Sequence, residues 1–286
     1  MSECRYAIRT AAFLLMVWAL SANAQIGYRE LSNSRTAIIR EESYFTKPLR
    51  LVDAPTAGIL RPGDFRADVR IYQRGGMVAG LSAGVSNRVM FGVFFGGTNI
   101  IGDSQQIQWN SVPGIHLNYR IIEESLRMPA VTIGFDSQGM GPYYSEKTVK
   151  YPQINAAPND SLNRYDFKSR GFFLVVSKGY SSLIATGLHA GISYSLEKGG
   201  ATKRLPTFYM ATNAHISRDL ALLFEYDFAV NDPQWYSRGI LNFGLRWAFS
   251  SNIFFDFDLQ NLLGKKEGKS DVRRVINISY YGSVLK

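Results

Sequence analysis

The chain has 286 residues, a formal net charge of +9 and a mean hydropathy of −0.09. After residue 20 it has no apolar run of the roughly 20 residues that a membrane-spanning helix needs, so a helical membrane protein is excluded. Its single cysteine, Cys4, leaves no disulfide, thiolate metal site or cysteine nucleophile in the rest of the chain.

The first 24 residues have the pattern of a secretory signal peptide. Arg5 and Arg9 form a basic start, residues 11–20 are apolar, and Ala22-Asn23-Ala24 supplies the small residues that precede a cleavage site. The apolar run is too short for a membrane anchor. We therefore predict that residues 1–24 are removed and that the protein is exported.

From residue 62 onward, apolar and polar residues alternate. In residues 240–249, for example, Leu241, Phe243 and Leu245 share one parity, whereas Arg246 takes the other. Because strand side chains point to opposite faces in turn, each such segment has one apolar and one polar face. The pattern predicts strands at roughly 62–73, 77–85, 88–96, 112–121, 129–136, 168–178, 186–196, 206–216, 219–229, 237–249, 252–260 and 272–282.

Three features favour a membrane barrel over a soluble sandwich. The runs are about 9–11 residues long, as tilted membrane strands must be. Their apolar faces end in aromatic residues, and the connections are alternately short and long. Residues 62–286 are therefore predicted to be all-β and to form a closed antiparallel transmembrane β-barrel of about 12 strands in the bacterial outer membrane. Residues 25–61 do not alternate and are predicted to be a periplasmic N-terminal segment, either loose or folded into the lumen as a plug.

A closed barrel turns the polar face of its strands toward the lumen. The candidate lumen-lining residues are Arg66, Asp68, Arg70, His116, Asn118, Arg120, Glu225, Asp227, Arg246, Asp256 and Asp258. These residues could form a charged constriction that selects a solute, or ion pairs that fill a narrow barrel, and we favour the ion pairs. Since the first and last strands meet at closure, Arg66 and Arg70 are candidates to pair with Asp256 or Asp258.

The three histidines, His116, His189 and His215, share the lumen parity. A lipid hydrolase would combine a histidine with a nearby serine at the lipid face or outer rim, and no serine-containing motif accompanies these mid-strand positions. There is no phosphate-binding loop, HExxH or calcium-loop pattern either. We therefore expect no enzymatic activity, no cofactor and no metal.

The long loops lean basic, which indicates contact with outer-membrane lipid and lipopolysaccharide, or docking of an acidic polysaccharide. The first interpretation is favoured, and no nucleic-acid partner is expected. The basic residues are Lys147, Lys150, Lys198, Lys203, Arg204, Lys265, Lys266 and Lys269.

Three stretches carry a family resemblance. They are residues 53–58 (DAPTAG) with the Pro62-Gly63 turn, residues 129–136 (PAVTIGFD), and residues 172–178 (FFLVVSK) followed by 188–192 (LHAGI). In this order they resemble the YjbH-like outer-membrane proteins, a barrel family associated with exopolysaccharide production and secretion. The resemblance implies a non-enzymatic component of exopolysaccharide assembly or export, with polysaccharide-export proteins as partners. None of the matching positions marks a known functional site. A narrow porin-like solute channel and a lipid-modifying enzyme are the alternatives.

Overall fold

The computed structural model describes residues 48–102, 106–144, 162–181, 185–199, 204–232, 236–266 and 269–284. The predicted signal peptide, residues 25–47 of the N-terminal segment, and the loop residues Lys147, Lys150 and Lys203 lie outside these ranges. No helix among the described residues is long and apolar enough to cross a membrane.

Twelve long strands form one closed wall. They are β1 (Asp64–Tyr72), β2 (Gly76–Gly84), β3 (Val89–Thr98), β5 (Gly114–Ile122), β6 (Ala130–Asp136), β9 (Gly171–Ser181), β10 (Ala185–Tyr194), β12 (Thr207–His215), β13 (Leu220–Asp227), β14 (Ile240–Ala248), β15 (Ile253–Gln260) and β18 (Arg273–Ser283). Each wall strand pairs antiparallel with its chain neighbours in the wall, and β1 pairs with β18, where Asp64 lies opposite Ser283. The predicted twelve-stranded antiparallel barrel is confirmed.

Six short strands lie in the connections. They are β4 (Gln108–Trp109), β7 (Met140–Tyr144), β8 (Leu162–Phe167), β11 (Lys198–Gly199), β16 (Lys265–Lys266) and β17 (Lys269–Ser270). β4 extends the wall beside β3, and β7, β8 and β11 form a small separate sheet. All six belong to connections at the end of the barrel opposite the start of β1, which we call the loop end. The other end is the start end.

Tight turns close the start end, as in Val85 N–H donating to Val89 C=O and Ile216 N–H to Leu220 C=O. The short β1–β2 connection at the loop end is also a tight turn. Its Arg74 and Gly75 have φ angles of 61° and 58°, a combination typical of a type I′ hairpin turn. A Cβ at Gly75 would lie 1.9 Å from the Ile101 carbonyl oxygen, so this position requires glycine.

The two faces of the wall differ in chemistry. Large apolar side chains are exposed on the outer face, among them Phe91, Leu117, Phe172, Phe224 and Phe257. The inner face carries most of the buried polar and charged residues of the wall. Since a water-soluble barrel would place its polar face outward, the wall is built for an apolar surrounding.

Candidate functional site: the plugged lumen

Residues 48–61 are the described part of the predicted N-terminal segment, and all but the exposed Arg61 lie inside the barrel. We call them the plug segment. Within it, residues 49–56 form an inner hairpin, in which Leu51 N–H donates to Ala54 C=O and Thr56 N–H to Leu49 C=O. Its tip is almost fully buried, with Val52 1% and Ala54 0% exposed. Both ends of the plug segment lie toward the start end, and Arg61 leads directly into β1.

Glu225 of β13 binds the backbone at the tip of the hairpin. Its carboxylate accepts hydrogen bonds from the N–H groups of Asp53 (2.8 and 3.0 Å) and Ala54 (2.8 Å). It also accepts one from the side-chain amide of Asn242, its cross-strand partner on β14, at 3.0 Å. A buried carboxylate is thus stabilised by three donors, two of which the plug segment supplies.

The side chain of Asp53 joins two guanidinium groups of the wall. Nε and Nη2 of Arg170 lie 2.9 and 2.7 Å from its Oδ2, and Nη1 of Arg70 lies 3.7 Å from its Oδ1. Arg170 also pairs with Asp227 and lies over the Tyr209 ring, 5.2 Å from its centroid. Burial disfavours the charge on Arg170, but the carboxylates of Asp53 and Asp227 more than offset this and raise its pKa above the usual value.

Further bonds hold the flanks of the hairpin at several points of the wall. Ala57 N–H donates to Ser177 Oγ (2.9 Å), Thr132 Oγ donates to Ala57 C=O (3.3 Å), and the Tyr209 hydroxyl donates to Pro55 C=O (3.2 Å). Arg70 donates to Val52 C=O and Arg246 to Arg50 C=O, at 2.6 and 3.1 Å. The plug segment is therefore bonded to β1, β6, β9, β12, β13 and β14.

Most of the predicted lumen residues are buried in the barrel. Arg120 is the exception, with its side chain 16% exposed and 3.7 Å from Glu123. The buried ones are Arg66, Asp68, Arg70, His116, Asn118, Glu225, Asp227, Arg246, Asp256 and Asp258. The structure brings Arg70, Glu225 and Asp227 together around the hairpin tip. The side chain of Asn118, by contrast, has no hydrogen-bond partner among the described residues.

The predicted pairing of Arg66 and Arg70 with Asp256 or Asp258 is wrong. β18 lies between β1 and β15, so these side chains are not on neighbouring strands. Asp256 lies directly opposite Arg246 and accepts two hydrogen bonds from it, at 2.7 and 2.9 Å. Arg66 instead lies 3.5 Å from Asp68, and Arg70 turns to the plug segment.

The histidines also have partners within the lumen. His116 Nδ1 lies 3.2 Å from Asp136. His189 lies between Ser177 Oγ (2.8 Å) and Asn213 Oδ1 (2.9 Å), an arrangement that sequence motifs did not reveal. Ser177 Oγ is already the acceptor for the Ala57 N–H of the plug segment, and the group is buried where lipid does not reach it. In the structure, Ser177 thus binds the plug segment.

Loop residues fill the lumen from the opposite direction. Met140, Phe167 and Tyr236 pack with wall residues of the loop end, including Phe94 and Ile240, in one buried apolar cluster. Above this cluster, Arg164 and Lys168 lie 2.8 and 3.3 Å from Asp232. Burial lowers the pKa of Lys168. A pocket beside these groups is lined by Phe167, Lys168, Ser169, Arg170, Ser193, Thr207, Asp227, Ala229, Asn231, Asp232, Tyr236 and Ile240.

Sequence reasoning missed several residues that build this site. Asp53 lies in a segment without alternation, and Arg170 falls within the predicted run 168–178 but lies just before β9 and does not share the inward parity of Val175 and Ser177. Ser177 and Tyr209 do lie on wall strands, and their inward parity was the available signal.

Among the described residues, no group of three or more His, Cys, Asp or Glu is placed to hold a metal ion.

A closed antiparallel wall with an apolar outer face and a polar, occupied interior defines a transmembrane β-barrel of the outer-membrane type. No protein-family model matches the chain, and no curated protein matches it. Solved structures with a similar arrangement include a KdgM porin (9% identity, TM-score 0.42, covering 76% of this chain and 98% of that one) and a NanC porin (13%, 0.41, 78% and 99%). Another is an outer-membrane channel from Pseudomonas putida F1 (12%, 0.42, 81% and 100%). At these values no solute can be transferred from those proteins to this chain.

Proposed function

We propose that this protein is a channel of the bacterial outer membrane that its own N-terminal segment keeps closed. The observation that carries the proposal is the plug segment, whose inner hairpin lies within the lumen and which is bonded to six wall strands. Barrels of about 8 strands are filled by their own side chains, whereas those of 16–18 strands hold an aqueous channel. A twelve-stranded wall lies between these sizes, so removing the hairpin would leave a polar cavity that opens at the start end. A continuous passage also requires the loop residues Met140, Phe167 and Tyr236 to move aside at the loop end.

The contacts of the hairpin suit a removable closure. Most are single hydrogen bonds to backbone groups, which water can replace when the hairpin leaves. Both ends of the plug segment lie toward the start end, so the hairpin can be withdrawn there without threading a chain end through the barrel. A narrow solute channel, rather than a barrel with a permanently packed core, follows from these two properties.

Conductance in planar lipid bilayers tests the proposal. The wild-type protein should show only brief openings, and a variant in which residues 49–57 are replaced by a short Gly-Ser linker should conduct steadily. Heat-modifiability on gels, in which a closed barrel migrates differently before and after boiling, checks that both proteins are folded. Steady conductance of the wild type, or a folded variant that conducts no more than the wild type, would overturn the proposal.

A second candidate is a component of exopolysaccharide assembly or export, working with polysaccharide-export proteins. One observation favours it: the DAPTAG stretch, which carries part of the resemblance to the YjbH-like proteins, contains the tip and one flank of the inner hairpin. Secreted polysaccharide should fall in cells that lack the protein and return with the wild-type chain. If the plug-replacement variant restores barrel insertion but not secretion, the hairpin has a role in export; unchanged secretion without the protein rules this candidate out.

A further inference from the structure

Arg70 depends on the plug segment for its oxygen partners. Its Nη2 donates to Val52 C=O at 2.6 Å, and its Nη1 lies 3.7 Å from the Asp53 carboxylate. Its other partner among the described residues is the sulfur of Met140, 3.4 Å from Nη1, and its Nε has no partner there. The side chain is 6% exposed. Withdrawal of the hairpin would therefore leave a buried guanidinium group without an oxygen acceptor.

Arg170 would lose half of its partners in the same step. Asp53 and Asp227 share its guanidinium group, and only Asp227 belongs to the wall. Its Nη1 keeps the Asp227 carboxylate, whereas its Nε and Nη2 lose their acceptor. Opening the lumen thus frees the N–H groups of Arg70 and Arg170 that had been directed at the Asp53 carboxylate.

Arg170, unlike Arg70 and Asp53, also lines a pocket at the loop end. The pocket there has Arg170 and Lys168 in its lining, together with hydroxyl groups of Ser193 and Thr207 and the ring of Tyr236. Hydroxyl, amide and aromatic groups beside an arginine fork are the groups that bind a sugar carrying a carboxylate. Exchange of the Asp53 carboxylate for a ligand carboxylate would leave the charge of the cluster unchanged.

Building on the proposed channel, we propose that Asp53 occupies the binding site for the carboxylate of a sugar acid, so that the plug segment is an internal competitor of the solute. Arg70 and Arg170 are the residues that bind this carboxylate. The plug then leaves most readily when an acidic sugar takes the place of Asp53, which couples opening to the presence of the solute.

Calorimetric titration with D-glucuronate tests the site independently of conduction, with D-glucose as the neutral control. The folded plug-replacement variant should bind glucuronate about tenfold or more tightly than glucose, since hydrogen bonds to charged groups are the stronger ones. It should also bind glucuronate at least about tenfold more tightly than the wild type, in which Asp53 competes. Arg70→Gln or Arg170→Gln in the variant background should abolish the preference for glucuronate, whereas Arg88→Gln, at an exposed turn, should preserve it.

The outcomes separate the two proposals. Equal binding of the two sugars by a folded plug-replacement variant would overturn the carboxylate site, even if that variant conducts. Preferential binding by a variant that does not conduct would support the site and refute the channel. If the replacement prevents folding, Asp53→Asn in the full-length chain serves instead and should bind glucuronate more tightly than the wild type; unchanged affinity would count against the site.

Discussion

Phe224 and Glu225 are neighbours in the chain, but one side chain faces the lipid outside the wall and the other faces the lumen. Phe224 is 41% exposed on the outer face, where its ring packs 5.1 Å from that of Phe243. Glu225 is 3% exposed on the inner face, and its carboxylate accepts hydrogen bonds from three donors: the N–H groups of Asp53 and Ala54 and the side-chain amide of Asn242. The outer face needs apolar character and little specific geometry. The inner face needs particular partners, so substitutions on the two faces should fail for different reasons.

The largest effect is expected from breaking the buried pair of Arg246 and Asp256. Arg246→Ala removes the arginine from the buried Asp256 carboxylate, which then keeps only the weaker partner Asn277. Loss of one partner of a buried ion pair costs about 3–5 kcal/mol. Urea unfolding of the barrel in lipid vesicles, followed by tryptophan fluorescence, measures this. Arg88→Ala is the matched control, and an equal loss in both variants would show that the pair has no special weight.

A charge on the outer face should cost somewhat less. Phe224→Arg, in the middle of β13, should lower the free energy of unfolding by about 2–4 kcal/mol, because arginine near the bilayer midplane is poorly solvated. Phe249→Arg lies at a start-end turn, where the same change should cost about 0–1 kcal/mol. The same unfolding experiment serves both variants. If the two losses are alike, the outer face is not in contact with lipid at the depth assigned.

A milder change tests the hold on the hairpin without altering the wall. Asp53→Asn keeps the shape of the side chain but removes the charge that faces Arg170 and Arg70. Charged hydrogen bonds contribute about 1.5–3 kcal/mol, so the hairpin should leave its site roughly 10- to 150-fold more often. A cysteine at position 52, which is otherwise buried, reports this as faster labelling by a water-soluble maleimide. Labelling at the wild-type rate would mean that the backbone bonds alone hold the tip.

The smallest effect concerns the loop end, outside the lipid. Glu197 is half-buried there, and its carboxylate accepts N–H bonds from Tyr165 and Ser169, both at 2.9 Å. Burial raises the pKa of Glu197 above its ordinary value of 4.5, with the bonds from Ser169 and Tyr165 opposing the rise. The contribution of this group to stability is therefore complete below pH 4.5 and declines as the pH rises through the folded pKa. Glu197→Gln should remove this decline from the pH dependence of proteolysis in the 137–167 loop; an unchanged pH profile would contradict the assignment.

The wall was predictable from the sequence because the alternation of apolar and polar residues directly reflects the lipid on one face of each strand and the lumen on the other. β13, β14 and β15 each combine an apolar parity with a parity that carries charges, and their positions match the predicted runs. The small sheet of β7, β8 and β11 was not predicted, since its strands come from two different connections, β6–β9 and β10–β12, that do not alternate between lipid and lumen.

The interior was less predictable, because its partners are set by position in three dimensions. Parity identified Glu225 as an inward residue but gave no sign that its partners are backbone N–H groups of Asp53 and Ala54. Arg246 and Asp256 became a pair only once the register of β14 and β15 was known. A segment without periodicity, such as residues 48–61, gives no pattern from which its place in the lumen could be read.

The inner hairpin also constrains the order in which the protein folds. Its partners are synthesised long after it, since Arg246 lies 196 residues beyond Arg50 and Glu225 lies 172 residues beyond Asp53. Contacts over such separations form late and slowly. Because Arg61 leads into β1 and β1 pairs with β18, the step that joins the first strand to the last also encloses the hairpin. The wall then closes and encloses the inner hairpin in one step. A barrel that closes without the hairpin would contain unpaired charges, which favour reopening.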